Sequence, residues 1–124
     1  MSYNFDHMHI LSPNVEETAL WFERMFGAEV LRSVQQGKPR VDLKLGGANI
    51  FIASLPADGK PNPANPYQGL DHFGMTVPNL AKTVAELKAK GVTFTTEPHE
   101  ARPGTHIAFL RTPDGVRIEL LQRS

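Results

Sequence analysis

The chain has 124 residues, of which 40% are hydrophobic and 21% charged, as expected for one globular domain. Lys plus Arg and Asp plus Glu both number 13, so the formal net charge is zero and no nucleic-acid or membrane partner is expected. Cysteine is absent, which excludes disulfides, thiolate catalysis and zinc sites built on sulfur. Because the sequence has neither a secretory signal pattern nor a bilayer-length apolar run, we expect a cytoplasmic protein.

The first predicted element, a short strand, belongs to a segment that occurs twice. Residues 6–15, DHMHILSPNV, align with residues 71–80, DHFGMTVPNL, at an offset of 65 residues that carries His7 onto His72. Asp, His, Pro and Asn coincide, and apolar residues recur at the third, fifth and tenth places. An internal repeat of this kind predicts two structurally equivalent modules.

A helix is predicted after the asparagine of each copy. Asn14 and Asn79 are suitable N-caps, because a short polar side chain can accept a hydrogen bond from the first turn. Apolar residues then recur at helical spacing, and Gly27 and Gly91 are placed to end the two helices.

Three short strands are expected after each helix, so each half reads β-α-β-β-β and the fold class is α+β. They are predicted at residues 29–34, 40–45 and 49–54, and again at residues 92–96, 105–110 and 116–121. Residues 102–104 are interpreted as a mobile loop. We expect one domain over residues 1–124, with modules at about 5–54 and about 70–122 and a proline-rich connector at about 55–69, because half the chain is too small for a stable core.

Alternation along the predicted strands leaves one face apolar and the other unexpectedly polar. The apolar face must cover the helices, whereas the other face carries His7, His72 and Glu119. Each of these residues could be purely structural. Two imidazoles and one carboxylate are nevertheless the set that holds a divalent cation with open positions for substrate, so the pattern favours one Fe, Mn, Zn, Ni or Co ion.

Four segments resemble the vicinal oxygen chelate superfamily, also called the glyoxalase/bleomycin-resistance/dioxygenase group. They are DHMHI at 6–10, WFERMFG at 21–27, DHFGMTV at 71–77 and IAFLRTPDGVRIEL at 107–120. The resemblance implies two tandem βαβββ modules that form a curved mixed sheet, a cup around a metal site. It assigns the metal to His7, His72 and Glu119, and it places Phe51 where glyoxalase I and methylmalonyl-CoA epimerase have a metal-binding Glu or Gln.

The absence of a carboxylate at Phe51 leaves His9 as the candidate catalytic proton carrier. It lies two residues from His7 and therefore on the same face of the strand, although it could equally be a wall residue at the rim. Phe51 and Arg117 are the candidate substrate-binding residues, as an apolar wall and as a partner for a substrate carboxylate. The alternatives are packing for Phe51 and a solvated position for Arg117, and His99 and His106 are expected at the surface.

These residues and the resemblance together favour a metal-dependent enzyme acting on a small oxygenated substrate. Isomerase or lyase chemistry through a metal-held enolate or carbonyl is expected first, and an extradiol-type ring-cleaving dioxygenase is the oxidative alternative. A non-catalytic drug-binding protein of the bleomycin-resistance type is the alternative from another class. A homodimer is also expected, because an open sheet leaves edges to protect.

Overall fold

The structure is a computed structural model that describes residues 2–64 and 66–124. The chain divides into two compact units, Met1–Lys60 and Pro61–Ser124, and the boundary falls inside the predicted connector. Each unit contains one helix and one four-stranded mixed sheet, so the α+β class and the tandem β-α-β-β-β order are confirmed. The strands form two four-stranded sheets, one in each unit.

The first unit orders its sheet β1-β4-β3-β2, with β1 parallel to β4 and the other pairs antiparallel. Its elements are β1 (Met8–Ser12), α1 (Val15–Phe26), β2 (Glu29–Gln35), β3 (Lys38–Leu45) and β4 (Ala48–Ser54). The second unit orders its sheet β5-β8-β7-β6, with β5 parallel to β8. Its elements are β5 (Phe73–Thr76), α2 (Leu80–Ala89), β6 (Phe94–Arg102), β7 (Thr105–Arg111) and β8 (Arg117–Arg123).

Both helices begin where the repeat predicts. The Asn14 side chain accepts a hydrogen bond from the backbone N–H of Glu17 at 3.0 Å, and Asn79 accepts one from Lys82 at 3.1 Å. Each cap satisfies a backbone donor that the helix itself leaves unpaired. The first helix ends at Gly27 with a φ of 69°, a left-handed conformation that favours glycine.

The alternation of the strands puts one face of each sheet against its own helix. In the first unit Ile50 and Ile52 are buried beside Phe22 of α1, and in the second Ile118 and Leu120 are buried on the face that α2 covers. On the opposite face His9 of β1 is exposed and Glu119 of β8 is half-buried, as alternation predicts. His7 and His72 lie one residue before β1 and β5, so strand alternation does not decide their side.

The predicted end of the second strand of this unit, at residue 96, is wrong, whereas the mobility of residues 102–104 stays a prediction. Strand β6 continues to Arg102 and pairs with β7 through several register shifts, and Pro103 and Gly104 form the hairpin turn between them. The strand can pass through Pro98 because β6 is an edge strand, where a missing N–H need not break a ladder. His99 is exposed as expected, but His106 is half-buried within β7.

Among the helices in the described part of the chain, none has the length and apolar character needed to cross a membrane.

Candidate metal and substrate site

The second unit brings two of the predicted ligands into direct contact. His72 lies immediately before β5 and Glu119 lies in the middle of β8, the neighbouring strand. The Nε2 atom of His72 is 2.9 Å from Oε1 of Glu119. Both side chains are largely shielded, with 29% and 16% of their surfaces exposed. Gly74 pairs with Glu119 in the strand register, and a Cβ there would lie in ordinary contact with the carboxylate oxygen but only 3.1 Å from Cδ1 of Leu121.

The other ring nitrogen of His72 is held by a second carboxylate. Oδ2 of Asp71 accepts a hydrogen bond from His72 Nδ1 at 2.7 Å and another from Nη1 of Arg117. The hydrogen bond from His72 is the largest cause that lowers the pKa of the Asp71 carboxyl, and the charge of Arg117 lowers it further. Asp71 therefore presents a charged acceptor to His72.

An aromatic ring completes the surroundings of His72. Phe109, which pairs with Glu119 in the strand register, meets the His72 ring edge-on with the centroids 4.9 Å apart. The guanidinium carbon of Arg117 lies 3.8 Å from the centroid of the same phenylalanine ring. The contacts thus form a closed series, which runs from His72 to Asp71, Arg117, Phe109 and back to His72.

The first unit repeats the carboxylate–imidazole pair. Oδ2 of Asp6 accepts a hydrogen bond from Nδ1 of His7 at 2.6 Å, as Asp71 does from His72. Phe51 stacks on the His7 ring with centroids 4.0 Å apart and planes 26° apart. Phe51 lies on β4, the strand that corresponds to β8, which carries Glu119. His7 therefore has an aromatic ring as its neighbour where His72 has a carboxylate.

The His9 ring lies on the same side of the first sheet as His7. The two ring centroids are 6.3 Å apart, close to one two-residue strand step, and His9 is exposed. Its ring centroid lies 6.2 Å from that of Phe51. The Arg40 guanidinium carbon lies 4.1 Å from the Phe51 centroid, and Arg40 Nε donates to Asp42 at 2.9 Å. Aromatic and charged groups therefore meet on one surface.

The donor groups present in each unit are of the kinds that bind divalent cations. A histidine that ligates through Nε2 carries its proton on Nδ1, and a carboxylate on that proton fixes the tautomer and the ring plane. His7 and His72 both have a carboxylate at Nδ1, and Glu119 places an oxygen donor 2.9 Å from Nε2 of His72. Within the described residues of either unit, no three His, Asp or Glu side chains form a complete metal-binding group. The ligand set His7, His72 and Glu119 therefore stays a prediction.

A groove of about 320 Å³ lies elsewhere in the first unit, between the start of α1 and strands β2 and β3. Two arginines line it, but Arg32 is paired with Glu16 and Arg40 with Asp42. Since these charges already have partners, the groove makes a weaker candidate site than the polar sheet surfaces.

Several site residues were missed in the sequence. Asp6 and Asp71 occupy repeated positions, and the doubled Asp-His pair is the sequence signal that links each of them to its histidine. Arg40 was not singled out at all. Arg117 was interpreted as a substrate anchor, and its guanidinium instead contacts Asp71 and Phe109, which leaves its remaining N–H groups for that role.

Comparison with known proteins supports the assignment of the fold. The sequence model of the Glyoxalase/Bleomycin resistance protein/Dioxygenase superfamily matches residues 4–120. A crystal structure of a glyoxylase/bleomycin resistance protein/dioxygenase domain from Frankia sp. EAN1pec superposes with a TM-score of 0.81 over 100% of both chains, at 20% identity. This last similarity shows the fold alone.

Two plant relatives carry the name lactoylglutathione lyase. A protein of Arabidopsis thaliana named "Probable lactoylglutathione lyase, chloroplastic" is 48% identical over 56 residues, which cover 44% of this chain and 16% of the relative. Lactoylglutathione lyase GLX1 of Arabidopsis thaliana is 26% identical over 124 residues. The chain thus spans less than half the length of each, covering 44% of the second. The family match over nearly the whole chain establishes that the protein belongs to the Glyoxalase/Bleomycin resistance protein/Dioxygenase superfamily.

Proposed function

We propose that the protein is a divalent-metal-dependent lyase or isomerase that acts on a small oxygenated substrate. One cation per chain would be held by His7, His72 and Glu119. The observation that carries the proposal is the pair of histidines at repeated positions, each with a carboxylate on Nδ1, together with Glu119 at the Nε2 atom of one of them. The relatives named lactoylglutathione lyase favour this reaction class over ring cleavage.

Two residues are proposed to bind the substrate, Phe51 of the first unit and Arg117 of the second. Phe51 is proposed as an apolar wall, because its ring is half-buried and stacked on His7. The free N–H groups of Arg117 would hold a carboxylate or another anionic oxygen of the substrate. A bound divalent cation supplies Lewis-acid stabilisation for negative charge that develops on a substrate oxygen.

Proton transfer is assigned to His9. It is exposed and its ring is 6.3 Å from that of His7, so it can reach a substrate atom beside the metal without itself being a ligand. Phe51 cannot carry a proton, and Asn49, on the neighbouring strand, has no acid or base function near neutral pH. His9 would take a proton from carbon and return it to the neighbouring position, which is the step that an isomerase needs.

The test is a substrate panel run with and without metal. S-Lactoylglutathione, small α-keto acids, CoA thioesters and catechols would be incubated with protein stripped by a chelator and with protein reloaded with Fe, Mn, Zn, Ni or Co. We expect turnover of a non-catechol substrate that disappears on stripping and returns on reloading. Turnover that survives stripping would contradict metal dependence, and oxygen-consuming cleavage of a catechol would show a dioxygenase instead.

A homodimer is part of the same proposal. Strand β2 is an edge of the first sheet and exposes Leu31 and Val34 at 45% and 72% of their surfaces. Exposed apolar side chains on an unpaired edge strand favour association with a second copy of the chain. Light scattering at micromolar concentration is expected to give twice the mass of one chain, and a monomer throughout that range would refute it.

A further inference from the structure

The two histidines of the repeat are held to different degrees. The side chain of Asp6 is 82% exposed and that of His7 is 37% exposed, whereas Asp71 and His72 are 41% and 29% exposed. An exposed hydrogen bond competes with water, so Asp6 restrains its histidine less than Asp71 does. The repeated sequence therefore gives two imidazoles whose neighbouring carboxylates differ in exposure.

The arginines of the two sheets account for part of this difference. In the second unit Arg117 donates to Asp71, the residue that orients the histidine, and covers Phe109, which packs against the same histidine ring. In the first unit Arg40 covers Phe51 in a comparable way, but its Nε donates to Asp42 rather than to Asp6. The arginine of the second sheet therefore contacts the aspartate that orients the histidine, whereas Arg40 of the first sheet contacts a different aspartate.

We propose that Asp71 is a positioning residue for the metal and that Arg117 acts through it, so that the second unit holds a preorganised pair of ligands. Asp71 fixes the ring of His72 with its Nε2 atom toward Glu119, and Arg117 fixes the carboxylate of Asp71. This inference rests on the proposed function, because it assumes that His72 and Glu119 bind the cation. It assigns the metal affinity of the protein mainly to the second unit.

The matched experiment replaces the two aspartates in the same way. Metal-free wild type, Asp71→Ala and Asp6→Ala would be titrated with Co²⁺, with the dissociation constant and the visible spectrum of the bound cobalt as readouts. Loss of a partner that orients a metal ligand typically weakens metal binding about 10- to 100-fold, and we expect this for Asp71→Ala. Asp6→Ala should weaken binding less than about threefold, because water can replace an exposed acceptor.

Two further variants separate positioning from a general loss of structure. Asp71→Asn keeps an acceptor oxygen and should recover part of the affinity. Arg117→Lys keeps the positive charge but loses the planar fork, so it should weaken cobalt binding several-fold in the wild type and not at all in the Asp71→Ala background. Thermal unfolding of each variant shows whether the fold survives.

The outcomes distinguish this inference from the proposed function. If wild type takes up no cobalt, both claims fail. If wild type binds cobalt but Asp71→Ala and Asp6→Ala weaken it equally, or Arg117→Lys still weakens binding without Asp71, the positioning role is refuted and the metal site stands.

Discussion

Replacing His72 by alanine is expected to abolish metal binding and turnover together. The substitution removes the imidazole that faces Glu119 and leaves that carboxylate, 16% exposed, without its nearest partner. The loss of affinity should exceed the roughly 10- to 100-fold effect of removing an outer partner, because a ligand itself is lost. Cobalt titration of the metal-free variant measures it directly.

The control for this prediction is His99→Ala. His99 is exposed on β6, at the far edge of the same sheet, and its ring nitrogen Nδ1 is 3.0 Å from the backbone oxygen of Glu97. The variant removes an imidazole without touching the predicted ligands, so its dissociation constant for cobalt should match that of the wild type. Unchanged metal binding by His72→Ala would remove this histidine from the ligand set.

Replacing His9 by asparagine is expected to leave the metal in place and to lower turnover by about 10²-fold or more, as loss of a general base does. Asparagine keeps a polar side chain on an exposed strand position but cannot carry a proton. The fold should tolerate the change, because His9 is exposed. Steady-state kinetics on the metal-loaded variant, with the substrate that the panel identifies, measures the effect.

The matched variant here is His99→Asn, which should turn over at the rate of the wild type. Cobalt binding by His9→Asn should also be unchanged, which separates the proton carrier from a ligand. Wild-type turnover in His9→Asn would make His9 a wall residue, and loss of metal in that variant would make it a ligand.

The repeat in the sequence was sufficient to predict the modules. Helix α1 begins at Val15 and α2 at Leu80, at the same 65-residue offset that joins His7 to His72. Local chemistry decides these positions, since an asparagine cap and an apolar stripe specify a helix without reference to the rest of the chain. The buried and polar faces of the strands followed from alternation for the same reason.

The pairing of each histidine with the aspartate before it could not be predicted in this way. Neighbouring side chains in a strand point to opposite faces, which would separate Asp71 from His72. The structure begins β5 at Phe73 and β1 at Met8, so both Asp-His pairs lie just outside the strands, where alternation does not apply. The ends of short strands depend on tertiary packing, which a single sequence does not reveal.

The predicted end of β6 was wrong for a different reason. A proline and several polar residues between 95 and 102 indicated the end of a strand, yet an edge strand tolerates both because one side of it faces no partner. The position of a strand within its sheet is a non-local property. The contact of Arg117 with Asp71, 46 residues away, was hidden for the same reason.

The central claim is that one divalent cation binds per chain through His7, His72 and Glu119, and elemental analysis tests it most directly. Protein made without a histidine tag would be stripped, reloaded with Zn or Co, freed of excess metal and measured beside a variant with all three residues replaced by alanine. We expect close to one metal per wild-type chain and none in the triple variant. Equal metal content in the two proteins, or none that remains with wild type, would contradict it.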